Sequence, residues 1–112
     1  MIMKFTVGIC CRDNKVAEKM IRMTLNNYVE SYTFTPEVYG EKYTNNHITF
    51  VYLDPNRVTE DNVKGMHLDK LYYESELSKR EKINIFNSVK HTMNDYLVPI
   101  PIDFSVKQET NS

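Results

Sequence analysis

Between Phe5 and Glu30 the hydrophobic period of the chain changes once, and that change constrains the fold more than any other feature. Phe5, Val7 and Ile9 alternate with Thr6, Gly8 and Cys10, a period of two that marks a strand with one face buried. Arg12-Asp13-Asn14 interrupts the pattern. From Lys15 to about Glu30, Ala17, Ile21, Leu25 and Tyr28 recur at helical spacing, and Val16, Met20 and Met23 widen the apolar face. Asp13 stands where its side chain can cap this helix by accepting backbone N–H bonds. The chain is therefore expected to open as a strand that runs directly into an amphipathic helix.

The rest of the chain adds strands and a second helix. Tyr32 to Tyr39 is rich in β-branched and aromatic residues, and Pro36 demotes it to an edge or bulged position. Gly40 and Asn45-Asn46 supply turn chemistry, and His47 to Leu53 reads as a strand that is apolar on nearly both faces. The two segments are expected to form a β-hairpin. Residues 55–67 read as a polar loop anchored by Val58 and Val63, and Leu68 to Tyr73 as a short strand. Ser78 followed by Glu81 is a capping box for a helix whose buried stripe is Phe86, Val89, Met93 and Tyr96. Pro99 and Pro101 end it, and a flexible tail over 103–112 follows one domain over 1–102. The expected fold is α/β (α+β) in the order β-α-β-β-β-α, a three- or four-stranded sheet with two helices packed on one face.

At 112 residues the chain is one domain's worth. Its 14 basic side chains nearly cancel its 15 acidic ones, so bulk charge draws it neither to nucleic acid nor to an anionic membrane. No apolar run approaches the ~20 residues that span a bilayer. The only cysteines, Cys10 and Cys11, are adjacent and so poorly placed to bridge, and two reduced thiols fit a cytoplasmic setting. Frequent Asn, Lys and Ile suggest AT-rich coding, common in small bacteriophage proteins.

Candidate chemistry is sparse. Cys10, Cys11, His47, His67 and His91 fit no C-x₂-C or H-x₃₋₅-H spacing, and adjacent cysteines at a strand end point to opposite faces, so no metal site is expected. Cys11 lies just ahead of a helix N-terminus, which would depress its pKa, but no residue is identified to orient a histidine beside it. No Glu-x-Lys occurs, so a two-metal nuclease is unsupported.

Gly65-Met66-His67-Leu68-Asp69-Lys70-Leu71-Tyr72-Tyr73-Glu74-Ser75 resembles the Walker B region of helicase- and terminase-type P-loop ATPases. The resemblance extends loosely over residues 4–77. It implies a strand from Phe5 to Cys10, a polar turn, a helix and then a hairpin leading to that strand. It also implies Glu74 at the Mg²⁺-binding position and Ser75 where a water-activating Glu belongs. The departures matter: Gly8, Gly40 and Gly65 form no phosphate-cradling loop, and a serine cannot act as that base. What the resemblance implies is a degenerate fragment that hydrolyses no ATP.

Charge placement carries more. Lys15, Lys19 and Arg22 share one face of the first helix, with Arg12 just ahead of it. Lys79, Arg80 and Lys82 crowd the first turn of the second helix, against its dipole, which invites an acidic ligand. Eight tyrosines, at 28, 32, 39, 43, 52, 72, 73 and 96, gather around the hairpin and its neighbours, and several are expected to face outward from the uncovered side of the sheet.

The expectation is a non-catalytic binding or regulatory protein without a cofactor, phage-encoded and acting on a host or viral enzyme through protein contact. Tyr39, Tyr43, Glu60 and Asp61 are its expected contacts. The alternative is a nucleic-acid-binding accessory protein using Arg12, Lys15, Lys19, Arg22, Lys79, Arg80 and Lys82. A homodimer through an edge strand is a further expected association.

Overall fold

The computed structural model describes residues 5–25, 33–44, 48–94 and 97–103, with the backbone alone for residues 22–25. The chain order is β1 (Phe5–Cys10), α1 (Asn14–Leu25), β2 (Thr33–Glu37), β3 (Gly40–Thr44), β4 (Ile48–Leu53), β5 (Lys70–Glu74), α2 (Lys79–Val89) and β6 (Ile100–Ile102). The strands form one mixed six-stranded sheet in the order β2-β3-β4-β1-β5-β6. β1 lies at its centre, parallel to β4 on one side and to β5 on the other. β5 is parallel to β6, while β2, β3 and β4 form an antiparallel meander.

Two of these strands were not anticipated. Gly40–Thr44, read as turn chemistry, is β3: the turn is Val38-Tyr39, so β2 pairs with β3 and only β3 pairs with β4. β6 is the Ile-Pro-Ile segment read as a helix terminator. Ile102 accepts the Ser75 N–H at 2.8 Å, whereas Pro101, with no N–H to offer, falls on the outward side of an edge strand, where none is needed. Pro36 follows the same logic at the opposite edge. The two-residue turn makes Glu37–Gly40 the closing hydrogen-bonded pair, so the backbone of Pro36 faces away from the sheet.

The helices lie on opposite faces of the sheet, which corrects the expected one-sided sandwich. Val7 and Ile9 of β1 and Phe50 and Tyr52 of β4 pack with Ala17 and Ile21 of α1. Cys10 of β1, Val51 and Leu53 of β4 and Leu71 of β5 pack with Ile85 and Val89 of α2. Side chains alternate across a pleated strand, so these two sets are the two faces of one sheet. The physical cause is in β4, whose residues 50 to 53 are all buried. A strand apolar on both faces needs a covering layer on each.

Local signals hold where they were specific. Asp13 Oδ1 accepts the Lys15 N–H at 2.8 Å, as expected of an N-cap. The Ser78–Glu81 capping box is complete, with Ser78 Oγ accepting from Glu81 N at 3.1 Å and Glu81 Oε1 from Ser78 N at 2.8 Å. Val58 and Val63 anchor the loop after β4 as anticipated. Asn84 Nδ2 donates to the Pro55 carbonyl at 2.7 Å and ties that loop to α2. Of the expected stripe, Val89 is buried and Phe86 packs against its cluster, but α2 ends at Val89, so Met93 packs there from beyond the helix. Tyr96 and the tail from residue 104 lie outside the described residues, as do residues 26–32 of the expected first helix.

Candidate functional site

The connection leaving β1 crosses one face of the sheet through α1, and that leaving β5 crosses the other through α2. The winding reverses between these two adjacent parallel strands, and ligands of open α/β sheets lodge outside the carboxyl ends of such a pair. In this chain the carboxyl ends deliver Cys11, Arg12 and Asp13 from β1, and Glu74, Ser75 and Glu76 from β5.

Arg12 spans these ends with its side chain half-exposed. Its guanidinium grips Glu81, with Nη2–Oε1 at 2.9 Å and Nε at 3.1 and 3.2 Å from the two oxygens. Nη2 also donates to the Glu76 carbonyl at 3.3 Å, and the backbone N–H of Arg12 points to Glu74 Oε1 at 3.4 Å. The same Glu81 carboxylate closes the capping box of α2, so one acid joins the end of β1 to the start of α2. The Arg12 and Ser78 hydrogen bonds hold the Glu81 carboxyl below its ordinary range. On the α1 side of the rim, Glu41 accepts from the Tyr43 hydroxyl at 2.6 Å and from Asn14 Nδ2 at 3.1 Å.

The thiols are sealed. Cys10 and Cys11 are free and fully buried, one in each core, as their adjacency on a strand end requires. Burial pushes the Cys11 thiol up to about 12, aided by the nearby carboxylates of Glu74 and Asp13. That direction is opposite to the depression expected from the helix N-terminus. Backbone hydrogen bonds from Asp13 and Ala17 offset only part of the desolvation, and the protonated thiol donates to the Asp13 carbonyl at 3.3 Å. His67 and His91 are exposed, His47 lies outside the described residues, and among the described residues no three His, Cys, Asp or Glu side chains converge as metal ligands.

The sequence-derived contacts do not assemble into one surface. Tyr39 and Tyr43 are 6% and 2% exposed and belong to opposite cores, so neither offers contact area to a partner. Tyr52 is buried as well, Tyr72 and Tyr73 are half-buried, and Tyr28, Tyr32 and Tyr96 lie outside the described residues. The tyrosine-rich open face was expected because both helices were placed on one side; with a helix on each, the tyrosines became core. Glu60 and Asp61 are exposed on the loop after β4. Lys15, Lys19, Lys79 and Arg80 are exposed, Arg12 is ion-paired, and the Arg22 side chain is not described. Lys82 lies 5.8 Å over the Tyr73 ring, an internal reason for one cation at the start of α2. The segment resembling Walker B forms β5 beside β1, with Glu74 near the Arg12 backbone and Ser75 bonded to β6.

A feature that sequence reading missed lies on the α1 face, toward the amino ends of the parallel strands. There Phe5, Ile48, Phe50, Tyr72 and Ile102 wall a groove of about 410 Å³, with Met20 of α1 along one side and Lys70 as its one charged lining residue. Phe5 is 43% exposed there. Only the unseen strand β6 could have revealed it, because Ile102 supplies its outer wall. Among the described residues no helix is long and apolar enough to cross a membrane. The chain matches no family model, no curated protein and no solved structure at a significant level.

Proposed function

We propose that the chain is a non-catalytic binding protein that regulates a partner protein by contact, as a phage-encoded modulator of a host or viral enzyme would. The observation that supports this is the apolar groove beside Phe5, Tyr72 and Ile102. Exposed apolar surface of this kind, with a single charge in its lining, favours apolar side chains of another chain. At the carboxyl ends of β1 and β5, where a cofactor of a doubly wound sheet would sit, the chain's own Arg12–Glu81 pair spans the gap, which fits the same reading.

The test is capture from a bacterial lysate after nuclease treatment, comparing the unaltered protein with Phe5→Glu and Ile102→Glu. One protein retained by the former and weakened about tenfold or more in both variants, with unchanged unfolding midpoints, supports the reading. Capture that is indifferent to both variants removes the groove from it. Capture that vanishes with nuclease shifts the function to nucleic acid and to Lys15, Lys19, Lys79 and Arg80. Those cations share their rim of the sheet with Asp13, Glu41, Glu74 and Glu76, which makes that surface the weaker candidate.

A further inference from the structure

We propose a second site, on the α2 face and so independent of the groove: a pocket for a small organic phosphomonoester, between the sheet and the loop that follows β4. A cavity of about 340 Å³ opens there, within the range of small-molecule pockets and larger than a bare ion needs. Its charged lining is entirely basic. Lys42 comes from β3, and Lys64 and His67 come from the loop.

The carboxylates nearest to these groups stand outside the lining. Glu37 Oε2 is 3.9 Å from Lys42 Nζ, and Asp69 Oδ1 is 3.5 Å from His67 Nε2. The other Asp69 oxygen is committed to the Thr6 N–H at 2.8 Å, which fixes that carboxylate against the end of β1. Lys64 has no carboxylate partner among the described residues.

Tyr39 lines the cavity as well. Its ring is packed in the core, and because no buried side-chain oxygen among the described residues lacks a partner, its hydroxyl reaches solvent at the rim, where it can donate to a ligand. Burial and the neighbouring Glu37 push this phenol up to about 12, so it stays protonated and can donate at neutral pH. Two ammonium groups, an imidazole and a phenol together match the oxygens of a phosphate. Val51, Val63 and Met66 complete the wall and suit an apolar body carrying that phosphate. Gly65, at φ +86°, leaves bare backbone in the lining, with no atom within 4 Å of where a Cβ would stand.

Calorimetric titration with phenyl phosphate and with inorganic phosphate, at ionic strength matched by chloride, tests the assignment. Phenyl phosphate is expected to bind more tightly than inorganic phosphate. Lys42→Ala and Lys64→Ala are each expected to weaken it about tenfold, the cost of one charge-assisted hydrogen bond. Tyr39→Phe keeps the ring in the core and is expected to weaken binding several-fold without moving the unfolding midpoint. Absence of heat from both probes, or affinity unchanged in Lys64→Ala and Tyr39→Phe, would overturn the proposal. So would a single-stranded oligonucleotide that displaces phenyl phosphate with higher affinity, because the site would then read a polymer backbone.

Discussion

Gly40 is the position at which a single methyl group should do the most damage for its size. It opens β3 at φ +154°, a backbone conformation that L side chains rarely adopt. A Cβ built there would lie 2.1 Å from the Tyr52 carbonyl oxygen and 3.0 Å from its carbon. Both obstacles are backbone of the neighbouring strand, so no rotamer change relieves them. Adopting a glycine-only conformation costs about 1–3 kcal/mol. Prising β3 from β4 also weakens the Asp54 N–H bond to the Tyr39 carbonyl, at roughly 1 kcal/mol for a hydrogen bond lost. Gly40→Ala should therefore destabilise the fold by about 2–4 kcal/mol, the sum of those terms. Gly8→Ala is the control. Its Cβ would stand 2.9 Å from Leu71 Cδ1 and 3.3 Å from Leu68 Cδ1, the mobile ends of side chains, with no positive φ. Overpacking of that kind costs about 1–2 kcal/mol. Urea unfolding followed by circular dichroism measures both, with equal slopes as the sign that only stability has changed. A Gly40→Ala variant no less stable than Gly8→Ala would refute the geometry assigned to the turn.

Four further outcomes are expected. With its thiol raised from an ordinary value of 9.0 to about 12, Cys11 should react with iodoacetamide at pH 8 at least about a thousandfold more slowly in the native protein than in urea; equal rates would place it on the surface. Raised Cys11 and Tyr39 values also mean that the unfolded chain ionises first, so stability is at its full value below about pH 9 and falls as pH rises toward 12, a loss that chemical unfolding at stepped pH would register. The lowered Glu81 carboxyl acts at the other end of the scale: its contribution is present above about pH 4.5 and lost as pH falls, and Glu81→Gln should flatten that part of the profile. Finally, Pro36→Thr restores an outward N–H on the edge strand β2 and should raise self-association in sedimentation, whereas an unchanged sedimentation profile would show that the edge is protected by other means.

What could be read from the residues was what depended on short range. The β1-to-α1 step, the Asp13 cap, the Ser78–Glu81 box and the edge position of Pro36 each follow from side-chain chemistry within a few positions. The layering did not. Whether α1 and α2 share a face is decided by the order of strands, and that order depends on β3 and β6. β3 carries glycine, two charges and a single aromatic, a weak alternation, and β6 is a three-residue strand centred on Pro101 and preceded by Pro99, so both looked like punctuation. With two strands missing, the sheet seemed to have a bare side, and the tyrosines were assigned to it. Arg12 was read as a free cation because its partners lie 62 to 69 residues away in sequence.

The central position of β1 also sets a timetable. In synthesis from the amino end, β1 precedes the other strands of its sheet, yet its neighbours are β4 and β5, the latter held to it by a Thr6–Asp69 bond spanning 63 residues. The meander β2-β3-β4 can form from local pairings as it emerges, while the apolar strand Phe5–Cys10 must wait without its second neighbour until Glu74 has been made. The ribosome therefore hands over a nascent chain whose middle is assembled before its beginning, and β1 is the segment that a chaperone would have to shield in the interval.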